Sequence, residues 1–151
     1  MNDKHLTLDV GCGNDFRGNV NVDLLIPDDI WQGKAVTCNK KLAPNFIQAS
    51  AYSLPFNMGS FEKVVCYHTI EHLSEPIRAL KEMIRVSNEQ VIMVFPSHTL
   101  EVIHALVLNL KKLKWLNHHH HKFDLKELKK YGVLSKLSFW EYKLEVNKKR
   151  I

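Results

Sequence analysis

The chain has 151 residues, 45% of them hydrophobic, and a formal net charge of +5, enough to bury a sizeable core as one domain, 1–151. No uninterrupted apolar run reaches the roughly 18 residues that cross a bilayer, and the first residues lack a leader pattern, so neither a membrane span nor secretion is expected. Cys12, Cys38 and Cys66 are odd in number and widely spaced, which points to free thiols in a reducing compartment, the cytoplasm, rather than to a disulfide frame.

In chain order, Leu6-Thr7-Leu8-Asp9-Val10-Gly11-Cys12-Gly13 reads as a buried strand running into a glycine turn. Val20-Asn21-Val22-Asp23-Leu24 reads as a second strand that ends on an acid, Asp23, twelve positions after Gly11. Gly11 and Gly13 permit positive φ and a close approach of backbone to a ligand. A carboxylate at the tip of the neighbouring strand can accept hydrogen bonds from both hydroxyls of a ribose. Together they describe a pocket for a nucleoside. A dinucleotide fingerprint fits less well, because Phe16 stands where its third glycine would be and the acid arrives before the usual spacing of about 20 residues. Only residues 12–19 join the two strands, and parallel neighbours generally need a crossover of about a dozen or more. The connection is therefore expected to wrap directly across the sheet, with its helix reduced or missing.

Further strands are expected near 45–49, 62–67, 90–95 and 137–146. Ser74 suits an N-cap and Pro76 a first helical turn, and Ile77, Leu80 and Ile84 recur at helical spacing, so a helix is expected over 75–86. A more uniformly apolar helix is expected from near Thr99, ending in Lys111, Lys112 and Lys114. A short one is expected over 124–131, with Asp124 as cap and Gly132 as terminator.

The run Asp9-Val10-Gly11-Cys12-Gly13 resembles the first motif of class I S-adenosylmethionine-dependent methyltransferases, and Asp23 resembles their ribose-binding acid. Gln48-Ala49-Ser50-Ala51-Tyr52-Ser53-Leu54-Pro55-Phe56 and the run from Ser60-Phe61-Glu62 to Glu71-His72-Leu73 resemble the third and fourth motifs. These blocks occur in the family's order over about the first two-thirds of the chain. The resemblance implies an α/β fold with a Rossmann-like class I methyltransferase sheet, mostly parallel, with helices on both faces. It implies S-adenosyl-L-methionine as methyl donor and in-line transfer to an acceptor. Gly11, Cys12 and Gly13 would border the methionine portion, with Asp9 supporting the turn. Asp23 would bind the ribose, Leu24 and Ala51 would flank the adenine, and Ser50, standing where relatives carry an acid, would contact its edge without charge. Tyr67 and His68 would face the ligand from the end of the fourth strand. Members normally finish with two strands; the chain looks too short for a full pair, so that edge is expected to be trimmed or covered by a second subunit, as in a homodimer.

His68 and His98 are the candidate catalytic bases, since histidine titrates near neutral pH. His72 is expected to anchor the following loop. The Asn/Asp-Pro-Pro-aromatic tetrapeptide of amino-directed nucleic-acid methylases is absent, which leaves oxygen, sulfur, carbon and other nitrogen as acceptor atoms. From position 111 onward there are twelve Lys/Arg against four Asp/Glu, whereas residues 1–110 hold nine against twelve. The basic end suggests an anionic acceptor, a small molecule or a nucleic acid, although a solvated lysine face has the same composition. His118-His119-His120-His121 is read as a linker, because four adjacent imidazoles do not converge on one ion, and no metal site is expected. The alternative function is a non-catalytic domain of the same fold that binds the donor, or an interaction domain.

Overall fold

A computed structural model describes residues 6–13, 15–24, 30–31, 34–35, 45–97, 124–138 and 141–148, with backbone alone at 30–31 and 34–35. The expected helix from Thr99, His98 and the run 118–121 lie outside the described residues. In chain order the elements are β1 (Thr7–Val10), β2 (Val20–Asp23), β3 (Ile30–Trp31), β4 (Lys34–Ala35), β5 (Phe46–Gln48), β6 (Phe61–Tyr67), a 3-10 turn (Ile70–His72), α1 (Pro76–Val86), β7 (Ser87–Pro96), α2 (Leu125–Leu128), β8 (Val133–Lys136) and β9 (Glu141–Asn147). β3 and β4 form a small antiparallel ribbon. The other seven make one sheet in the order β5-β2-β1-β6-β7-β9-β8. The pairs β1–β2, β1–β6, β2–β5 and β6–β7 are parallel, and β9 runs antiparallel to both its neighbours.

Strand alternation builds the core. Leu8 and Val10, Val64 and Cys66, and Val91, Met93 and Phe95 all point to one face and are buried in a single cluster. α1 lays Ala79, Leu80, Met83 and Val86 on that face, and Leu128 of α2 joins them. The buried stripe of α1 is thus rotated from the expected one: Leu80 lies at its centre, while Ile77 and Ile84 flank it and are only partly buried. Nor is Ser74 the cap. The helix starts at Pro76 with Glu75 in the cap position and no side-chain cap bond. The Tyr52 hydroxyl does that work, accepting from the Glu75 N–H at 3.2 Å and sitting 3.1 Å from Ser74 Oγ.

The Leu54-Pro55-Phe56 turn owes its shape to the far end of α1. Arg85 donates from Nη1 to Phe56 O at 2.8 Å and from Nη2 to Leu54 O at 3.0 Å, while Glu82 Oε1 accepts from Leu54 N–H at 2.8 Å. The Arg85 guanidinium, forked onto Glu82, holds that carboxyl below its ordinary range. α1 runs straight into β7. The Ser87 N–H closes the helix on Met83 O, and an extra residue in β7 bulges between its pairings Ser87 to Phe61 and Gln90 to Lys63.

The closing edge differs from expectation. A complete pair, β8 and β9, stands where one strand over 137–146 and a trimmed sheet were foreseen. The chain reverses at the start of the expected strand, where Leu137 N–H donates to Glu141 O at 3.0 Å. Four residues of β8 suffice to pair β9. With that edge filled by the chain's own strand, the reason for expecting a second subunit falls away.

The short first connection is as foreseen: β1 and β2 are parallel, and none of the described residues in 11–19 is helical. It is held by side-chain brackets instead. The buried Asn21 accepts from Gly18 N–H at 3.1 Å and donates to Gly18 O at 3.0 Å, and Asn19 Oδ1 accepts from Thr7 N–H at 2.9 Å. Gly18 passes so close to the sheet that a Cβ would collide with Val20 O and lie 2.7 Å from Asp9 N. Gly18→Ala is therefore expected to destabilise the fold by about 1–3 kcal/mol, as overpacking does. Urea unfolding measures this; an unchanged midpoint would contradict the close approach.

Candidate active site

The sheet order reverses between β1 and β6: β2 and β5 follow on one side, β7 on the other. Open parallel sheets bind ligands in the crevice beyond the carboxyl ends at such a switch point. Gly11 to Gly13, Asp23, Ser50 and Ala51, and Tyr67 and His68 follow the ends of β1, β2, β5 and β6 respectively. The fold thus brings together the sequence-derived residues from four strands.

The glycine turn is fastened to the tip of β2. Gly11 and Cys12 donate their N–H groups to Val22 O at 2.8 and 3.1 Å, and Gly13 donates to Asp23 Oδ2 at 2.7 Å. Gly11 has φ +73°, and Thr69 fills the space a Cβ would need. The Thr69 hydroxyl, 3.1 Å from Gly11 O and 3.0 Å from Tyr67 O, shares its proton between the ends of β1 and β6. Gly13 has φ +50°, and among the described residues nothing lies within 4 Å of a would-be Cβ beside Asp23. The Cys12 side chain is buried against Phe16 and Phe46.

On the far side of β2, Ala49 N–H donates to Asp23 O at 3.2 Å, which sets Ser50 and Ala51 next to that carboxylate. Ser50 Oγ accepts from Tyr52 N–H at 3.2 Å, and both Ser50 and Ala51 are half-buried. Leu24 is exposed, 52% of its surface open to solvent.

Asp9 is fully buried on the face opposite the main core, beside Asn21 and Val65. Its Oδ2 accepts from Arg17 N–H at 3.0 Å, but its Oδ1 has no hydrogen-bond partner among the described residues. Burial pushes this carboxyl up to about 6, more than the Arg17 N–H and charge pull it down. The Arg17 guanidinium lies over the Tyr67 ring, 4.4 Å from its centroid, and pairs with Asp15.

His68 follows Tyr67 with φ +49°, an uncommon conformation for a residue other than glycine. Its N–H donates to Val94 O at 2.9 Å. Its Nε2 lies 3.1 Å from Glu141 Oε1 and its Nδ1 3.7 Å from the buried Glu71. His72 lies in the 3-10 turn, its N–H donating to Thr69 O at 3.0 Å. Arg17 over Tyr67, Thr69 on Gly11 O and Glu141 beside His68 escape sequence reasoning, since the partners in each of these contacts are remote in the chain. Among the described residues no His/Cys/Asp/Glu group is placed to hold a metal, and no helix is long and apolar enough to cross a membrane.

The sequence matches a family model described as a methyltransferase domain over residues 8–95, more than half of its length. The chain belongs to the methyltransferase domain family. No curated protein sequence matches it. Among solved structures, an SAM-dependent methyltransferase from Thermotoga maritima, described as a possible histamine N-methyltransferase, is similar with a TM-score of 0.67 and 16% identity, over 96% of this chain and 83% of that one. Magnesium protoporphyrin IX methyltransferase from Synechocystis PCC 6803 with bound SAH gives 0.58 and 16% over 94% and 73%. At such identities the likeness shows the fold, and it is the Rossmann-like methyltransferase sheet expected from the sequence.

Ionising the buried Asp9 is costly for the fold. Its carboxyl is raised from 3.8 to about 6, so the folded state binds more protons between those values. Stability contributed by this group therefore falls as pH rises through the window and stays low above it. Asp9→Asn keeps an acceptor for Arg17 N–H without the charge. It is expected to raise stability at pH 7.5 by on the order of 1–3 kcal/mol relative to the parent, a gain that shrinks towards pH 4.5. Paired thermal melts across pH check this; a gain independent of pH would contradict the assignment.

Proposed function

We propose that the chain transfers a methyl group from S-adenosyl-L-methionine to an anionic acceptor. The observation that carries this reading is the cradle in which the Gly11–Gly13 turn is bonded to the tip of β2 at Asp23. When bound, the donor supplies an electrophilic methyl carbon, so positioning of the acceptor provides much of the acceleration. Asp23, one oxygen engaged by Gly13, offers the other to the ribose hydroxyls. Leu24 and Ala51 flank the adenine, and Ser50 meets its edge. Gly11, Cys12 and Gly13 border the methionine portion through their backbone, and Tyr67 closes the floor beside them. The buried Asp9 Oδ1, without a hydrogen-bond partner among the described residues, fits a cationic group of the donor.

His68 is the base for an acceptor that must lose a proton. It stands at the switch-point end of β6, about half exposed, with Glu71 and Glu141 beside its two ring nitrogens. These carboxylates orient the imidazole. A left-handed backbone at a non-glycine residue is a strain typical of functional sites. His98 is retained as a second candidate on sequence grounds alone. The anionic acceptor, a small molecule or a nucleic acid, is favoured by the exposed Lys126, Lys129, Lys130 and Lys136 and the lysine-rich sequence around them. A cytoplasmic setting agrees with the widely spaced cysteines.

Asp23→Asn preserves an acceptor for Gly13 N–H but loses the second carboxylate oxygen. It is expected to weaken binding of S-adenosylhomocysteine (SAH) by about 1–3 kcal/mol in calorimetry. An unchanged dissociation constant would reject the ribose role. Transfer of labelled methyl from the donor into a cell extract tests turnover, and donor binding with no transfer would instead favour the non-catalytic alternative.

A further inference from the structure

The strand order sets the cradle out as a line. Ser50 follows β5, Asp23 ends β2, the glycine turn follows β1, and Tyr67 ends β6. Neighbouring strands lie about 4.8 Å apart, so this line is roughly 14 Å long, the scale of an extended adenosyl amino acid. Resting on the donor reading above, with adenosine at the β5–β2 end, the amino-acid end falls between β1 and β6. Two unlike charges already stand there. Asp9 is fully buried with Oδ1 unpartnered among the described residues, and the Arg17 guanidinium is 4.4 Å from the centroid of the Tyr67 ring. The Arg17 N–H bond to Asp9 Oδ2 ties the two together.

We propose that Arg17 binds the carboxylate of the donor's amino-acid end, while Asp9 Oδ1 accepts from its ammonium group. A guanidinium offers two parallel N–H donors to a carboxylate, and the face of Tyr67 keeps it in register. Its present partner competes weakly: the Asp15 side chain is 73% exposed, and ion pairs at such sites contribute little. The crossover without a helix is what brings Arg17 here, since residues 15–19 run back along the face on which Asp9 lies.

The experiment compares two probes on the whole chain: SAH, which carries the amino acid, and 5′-methylthioadenosine, which keeps the adenosine and sulfur without it. Arg17→Gln retains the backbone bond to Asp9 and is expected to bind SAH about 10–100-fold more weakly, with 5′-methylthioadenosine changed less than about twofold. Arg17→Lys recovers part of the loss through its charge. Asp9→Asn is likewise expected to discriminate against SAH alone. An equal loss for both probes would make Arg17 a merely structural residue and overturn the proposal, as would no loss for either. Parent protein that binds neither probe would sink the donor reading itself, a failure distinct from that of the clamp.

Discussion

Three consecutive backbone amides, those of Gly11, Cys12 and Gly13, donate into the last two residues of β2, and the positions of the other site residues follow from that seam. It fixes how far the turn can stand from Asp23, and through Ala49 it fixes where Ser50 and Ala51 lie. Thr69 closes the other side, on the carbonyls of Gly11 and Tyr67, so the ends of β1 and β6 are also held at one separation. A ligand entering such a site finds its polar groups already spaced. Little reorganisation is then needed on binding.

The same seam explains what the sequence made legible. The placement of Gly11, Gly13 and Asp23 was readable because it depends on backbone conformation and strand tips, which local pattern records. The strands that alternate or run apolar, β1, β2, β6 and the centre of β7, were placed closely for the same reason. The failures share a cause as well. Ser74 looked like a cap, but Tyr52, distant in sequence, supplied the hydroxyl that competes for that end of α1. The stripe on α1 was read from Ile77 and Ile84, whereas packing selected Ala79 and Met83, since a small residue and a flexible one fit closest to the sheet. The β8–β9 hairpin was missed because β8 is only four residues long and lies just before the stretch read as a single strand over 137–146. Arg17, Thr69 and Glu141 act across the sheet, and no periodicity announces a contact of that kind.

Several site residues sit where the fold alone would not place them. Asp9 holds a charge in a buried position with one oxygen unmatched, and His68 adopts a left-handed backbone between two carboxylates. Departures of this kind gather where sequence rules give way to function, and the surrounding core must hold them. Here the restraint is strong on one face, where α1 and the central strands interlock, and polar on the other, where Asp9 and Asn21 lie.

Lys148 bears on how the molecule is made. Its ammonium group donates to Ile84 O at 3.1 Å and Ser87 O at 2.8 Å, across the junction where α1 passes into β7 without a loop. A helix end so abrupt leaves carbonyls in need of donors. Both are met by a residue more than sixty positions downstream, so during translation these two bonds form only after β9 has emerged and docked. Chain growth through that interval exposes a half-built sheet edge, the kind of surface on which nascent chains recruit chaperones.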